Sequence, residues 1–172
     1  MKVYKKKILK LVTLLMTSLM IGYASAATYK YLYIDGSVSF TTGTGLRWVE
    51  GSDAPASTSI SGTTVTISFQ VQNGTPTNFT YCLYLENLDA SSHSILINVT
   101  NDATSSYYDE FNIFIFDNDT DTYIATLNVL DGTSSYDGTI SGSAIWRLTF
   151  EITAKSTTTS GSDEFDLQFR YE

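Results

Sequence analysis

The sequence has one cysteine, Cys82, one histidine, His93, and only two prolines in 172 residues. A lone cysteine excludes an intrachain disulfide framework, so burial has to hold the fold together. One histidine and one cysteine cannot close a tetrahedral zinc shell. Basic residues are scarce too, ten against eighteen acidic ones. Half of them, Lys2, Lys5, Lys6, Lys7 and Lys10, crowd the first ten positions. The longest apolar-rich run, residues 8–21, is about 14 residues long, where a membrane span needs roughly 20.

A basic start, a short apolar run and the small residues Ala24, Ser25 and Ala26 read as a secretory signal peptide over residues 1–26. On that reading residues 27–172 are the secreted chain, about one domain by size. It keeps five basic residues, Lys30, Arg47, Arg147, Lys155 and Arg170, against eighteen acidic ones, a net charge of −13. Such a surface repels phosphate backbones and argues against nucleic acid as a partner. With the leader removed, nothing long enough to span a membrane is left.

What the chain does have is alternation with period two. Val65, Ile67, Phe69 and Val71 alternate with polar residues, as do Ile95, Ile97 and Val99. Trp146, Leu148, Phe150 and Ile152 form another such row, and Phe165, Leu167, Phe169 and Tyr171 a fourth. These are strands with one buried face, and their number predicts an all-β fold. The architecture expected is a two-sheet antiparallel β-sandwich, jelly-roll-like, of about nine or ten strands. The stretch "FNIFIF", Phe111 to Phe116, is apolar on both faces and belongs at the centre of a sheet. With "TYIATLNVL" it flanks an acidic hairpin loop, "DNDTD". "SSYYDEF", near Tyr107, reads as a short helical turn, and residues 131–142, "DGTSSYDGTISG", read as a loop.

No residue pattern in the sequence makes a catalytic site. His93 sits in "SSHS" beside a turn, and nothing ranks one of the many serines as its nucleophile. Glu164 and Asp166 have the i, i+2 spacing of a glycosidase pair, but Gln168 and Arg170 continue their face as an ordinary solvent face. The chain is therefore read as a non-enzyme. Asp117, Asp119 and Asp121 alternate like the first half of a calcium loop. Thr122 and Asn128 stand where an EF-hand needs Gly and Glu, so a looser Ca²⁺ site or a plain acidic turn remain. No other cofactor is expected. Asn73, Asn78, Asn98 and Asn118 each begin an N-x-[ST] tripeptide and are candidate N-glycosylation acceptors. Trp48 and Trp146 read either as core or as sugar-stacking platforms. Cys82 reads either as a small half-buried apolar residue or as one half of an intermolecular disulfide.

The segment that follows the leader, "ATYKYLYIDGSVSF", stands out. Tyr29, Tyr31 and Tyr33 make the cleaner apolar face, because Lys30 interrupts the row that continues through Leu32 and Ile34. An aromatic strand with free backbone groups is an aggregation hazard unless it is paired. It is either the first strand of its own sandwich or a strand donated to a neighbour. The donor reading takes Thr28, Tyr29, Lys30, Tyr31, Leu32, Tyr33 and Ile34 as the subunit–subunit contact. It divides the secreted chain into a donor strand and hinge, 27–36, pivoting at Asp35-Gly36, and a sandwich domain, 37–172.

The lysine-rich leader ending in "ASA", the immediate first strand and the Ser/Thr-rich sandwich ending on a strand resemble the TasA/camelysin-related extracellular fibre proteins. Within that group the chain looks most similar to the archaeal bundling pilins. The likeness is one of architecture over residues 27–172, without a tight signature motif. It implies a jelly-roll subunit that polymerises head to tail with identical subunits by donor-strand exchange. The product would be an extracellular, cell-surface filament of the biofilm matrix or of cell–cell adhesion, in contact with neighbouring filaments. The alternative is a secreted monomeric β-sandwich that binds carbohydrate or a cell surface.

Overall fold

The structure, a computed structural model, describes residues 31–41, 45–158 and 161–171. The expected signal peptide therefore lies outside the described residues. Eleven strands follow in order: β1 (Tyr31–Thr41), β2 (Leu46–Glu50), β3 (Ser59–Ser61), β4 (Thr64–Gln72), β5 (Pro76–Asn87), β6 (His93–Asn101), β7 (Tyr108–Asp117), β8 (Thr122–Asn128), β9 (Ser135–Ile140), β10 (Ile145–Ala154) and β11 (Gly161–Tyr171). Six form one sheet in the order β3-β4-β1-β11-β6-β9, and five form the other in the order β2-β5-β10-β7-β8. The all-β, two-sheet sandwich expected from the sequence is thus present, with one strand more than the upper estimate.

The alternating rows close the core. Val65, Ile67 and Phe69 on β4, Ile95 and Ile97 on β6, and Leu148, Phe150 and Ile152 on β10 are all 0% exposed. Phe111, Ile113 and Ile115 turn inward from β7, while Phe114 and Phe116 remain half-buried on the outer face. Each inward side chain contributes about 1.5–3 kcal/mol by leaving water. The sheets need no cross-link because these contributions come from every central strand.

Two local expectations change, and one strand breaks its alternation. Residues 105–107 are a turn closed by Tyr107 N–H on Thr104 C=O, not a helical turn, and β7 starts at once with buried Tyr108. Residues 135–140, inside the expected loop, form edge strand β9. It is anchored by buried Ile140 and by Tyr136 edge-on to Trp146 at 6.1 Å. β5 does not alternate throughout, because the β5–β10 register shifts between Leu148 and Phe150. That bulge buries Cys82 and Leu83 together and turns Tyr81 outward. Gly51 is required beside it, since a Cβ there would overlap the Tyr81 carbonyl.

Among the described residues every sheet pairing is antiparallel except one: β1 runs parallel to β11. These are the first and last described strands. A parallel pair needs a long crossover, and here all the intervening strands serve as that crossover.

Candidate functional site

Of the residues expected in a donor strand, Thr28, Tyr29 and Lys30 lie outside the described residues. Tyr31, Leu32, Tyr33 and Ile34 open β1. β1 is paired on both sides within its own chain, with β4 antiparallel and with β11 parallel. Asp35 and Gly36, expected as a pivot, lie inside this strand. Asp35 stands between Ser68 and Glu164, and Gly36 between Ile67 and Phe165. The strand runs on to Thr41, so its seat extends well past Ile34.

The buried face of β1 is not the tyrosine face. Leu32, Ile34 and Val38 are 0% exposed, whereas Tyr31 and Tyr33 are 37% and 50% exposed. The reason lies further along the strand. The tyrosine row continues into Asp35, Ser37 and Ser39, whose polar groups are costly to bury. The other row continues through Gly36 to Val38, and a period-two strand must bury one whole row.

Around position 36 the strand is held from both faces. Inside, the Phe165 ring lies over Gly36, and a Cβ at that position would overlap three of the ring's carbons. Phe165 is itself fixed, edge-on to Phe111 at 5.0 Å and with Phe69 and Phe150 each at 6.4 Å. Outside, the Ser37 hydroxyl donates to the Asp166 carboxylate and the Ser68 hydroxyl donates to Asp35. Asp166 is thus a structural acceptor, while Glu164 beside it is exposed.

The acidic hairpin between β7 and β8 is arranged as a turn. One oxygen of Asp117 accepts from the backbone N–H of Asp119 (3.1 Å), the N–H of Thr120 (2.9 Å) and the Thr120 hydroxyl (2.8 Å). These donors hold the Asp117 carboxyl below the usual carboxylate range, the Thr120 backbone bond most strongly. Asp121 adopts a left-handed φ of 54° and accepts from Arg147 at 2.6 Å. Among the described residues, no group of three His, Cys, Asp or Glu side chains is placed to hold a metal ion.

The remaining candidates are placed as follows. Asn73 is turned inward, its amide donating to the Thr158 carbonyl. Asn78 is exposed on β5, and Asn98 and Asn118 are half-buried. His93 Nε2 lies 2.9 Å from Asp89 Oδ2. Trp48 and Trp146 are 3% and 2% exposed, and Trp48 packs edge-on to Phe169 at 5.0 Å, so neither presents a ring face to a sugar. Cys82 is fully buried, its thiol pushed up by burial and by the nearby Asp53 and Glu50 carboxylates.

Sequence reasoning passed over Arg147. It is only 7% exposed, on the outer face of central β10. Its guanidinium lies between the rings of Tyr81 (5.0 Å) and Phe116 (4.8 Å) and reaches Asp121. The available signal was a basic residue at mid-strand in a chain with few of them.

No family model matches the chain, and no curated protein does. Among solved structures, the yeast delta-COP-I mu-homology domain is similar over 82% of this chain and 95% of that one, at 6% identity and a TM-score of 0.26. A likeness at that level carries no argument about this chain.

Proposed function

We propose that this chain is the structural subunit of an extracellular filament, in which β1 of each subunit completes the six-stranded sheet of the next. The observation that carries this reading is the position of β1. It is central in its sheet, yet every other described strand lies after it in the chain. The strands from β2 to β11 therefore connect to one another without passing through β1. Withdrawing it would leave β4 and β11 with open edges and a groove where Leu32, Ile34 and Val38 had been.

The groove is indifferent to which copy fills it, because the same contacts form either way. Three large side chains contribute on the order of 5–9 kcal/mol together, and two backbone ladders add to that. Only residues 42–45 join β1 to β2, which lies in the other sheet. A short connection of this kind is the setting in which exchange between copies competes with closure on the same copy. Exchange of one terminal strand is a head-to-tail contact that need not close on itself, so it propagates as a filament. The sequence reading of residues 1–26 as a secretory leader supports the extracellular address.

Electron microscopy of purified residues 27–172 tests the proposal. Filaments are expected, and deletion of residues 27–34 should abolish them. A protein that stays monomeric at high concentration would overturn it.

A further inference from the structure

We infer that the Gly36–Phe165 contact is the lock that sets the register of β1 and decides which strand the groove accepts. The inference rests on the assembly proposed above for its partner, a second copy of this chain, but the contact itself is a property of the fold.

A strand in a hairpin takes its register from the turn. β1 has no such turn. Its antiparallel neighbour β4 comes only after β2 and β3, and its parallel neighbour β11 is at the other end of the described chain. Register must come from side chains. A slip of one residue would bury Asp35 and Ser37 and expose Ile34, which the polar groups forbid. A slip of two keeps the faces correct, so burial alone cannot prevent it. It would, however, bring Ile34 or Val38 opposite Phe165 in place of Gly36.

Phe165 has no room to yield. It is 0% exposed and wedged among Phe69, Phe111 and Phe150. Only a residue without a side chain fits beneath it, and an aromatic ring covering a glycine on the neighbouring strand repairs the exposed backbone in return. The Ser37–Asp166 and Ser68–Asp35 hydrogen bonds form on the outer face only in this register. The inner lock and the two outer bonds therefore select one alignment. A competing strand without glycine at the matching position is rejected.

The test uses full secreted chains carrying Gly36→Leu, Phe165→Ala or both. Gly36→Leu should cut assembly about tenfold to a hundredfold, and the double variant should recover most of it, since leucine then fills the space left by the ring. In mixtures labelled with two dyes, wild type and the double variant should sort into separate filaments. Gly36→Leu assembling like wild type, or a double variant no better than the single, would overturn the lock. Should wild type form no filaments, the assembly proposal fails separately. The same four proteins then read the lock in urea, where recovery of the Gly36→Leu midpoint by Phe165→Ala supports it and additive losses overturn it. Gly36→Ala with Phe165→Leu repeats the cycle with milder changes, so poor folding of one variant does not leave the lock undecided.

Discussion

β1 and β10 are both central strands, one in each sheet, and both bury an alternating apolar row. β10 is bonded to β5 and β7, antiparallel on both sides, with strands before and after it in the chain. Its inward row is Trp146, Leu148, Phe150, Ile152 and Ala154, and its outer face is clamped through Arg147. β1 offers a thinner row, Leu32, Ile34 and Val38, with Gly36 in the middle. Like β10 it pairs with no strand next to it in the chain, but no described strand precedes it. The contrast shows that centrality in a sheet and integration in the chain are separate properties. β10 has both, and β1 has the first alone.

Substitutions should separate the two strands. The largest effect is expected from Phe150→Ala, at about 3–5 kcal/mol of subunit stability, because it leaves a cavity beside Phe69 and Phe165. Calorimetry should show the loss, and added wild-type protein should not restore the variant. Ile34→Ala should cost about 2–4 kcal/mol, but here wild-type subunits should help. Such a variant receives a wild-type strand and donates a poor one, so it should shorten mixed filaments in micrographs. If Phe150→Ala behaves the same way, the two strands do not differ as described.

On the outer face of β10, Arg147→Ala should cost about 1–3 kcal/mol in urea unfolding, by removing a guanidinium held between two rings. Asp121→Asn should cost less, about 0.2–1 kcal/mol, because that carboxylate is 75% exposed. Equal losses would mean that the ion pair, not ring packing, holds the arginine.

The smallest effect concerns pH at the β7–β8 turn. The Asp117 carboxyl titrates below its ordinary value, so its contribution is complete above the usual carboxylate range and fades as pH falls through the lowered value. Asp117→Asn should flatten that part of the acid-unfolding curve slightly. A carbon-detected titration of Asp117 at the ordinary carboxylate value would contradict the turn geometry.

The sandwich was legible because β4, β6, β10 and β11 bury one face and expose the other, and period two is the signature of that arrangement. β9 was not, since its inward positions are Tyr136, Gly138 and Ile140 among serine and aspartate, a composition shared with turns. The bulge at Cys82 was hidden for a related reason: both of its buried residues are apolar, so the break in phase leaves no polar mark. β1 itself was visible as a strand, but its buried face was not. Over residues 29–34 the tyrosine row looks the cleaner, because Lys30 interrupts the other, and only the polar residues Asp35, Ser37 and Ser39 reverse that order. Gly36 read as a pivot because glycine often marks one. Its pairing with Phe165 depends on a contact between the two ends of the chain that no local pattern encodes.

The most direct measurement is a cross-link between β1 and β11. Ser39 and Gln168 are partners across the parallel pair, and strands about 4.8 Å apart bring Cα atoms within disulfide range. Cys82 is buried and should not interfere. Filaments of the Ser39→Cys, Gln168→Cys variant, oxidised and run on a denaturing gel without reductant, are expected to give a ladder of covalent multimers. A single band of internally linked monomer would show that β1 stays in its own subunit and would contradict strand exchange.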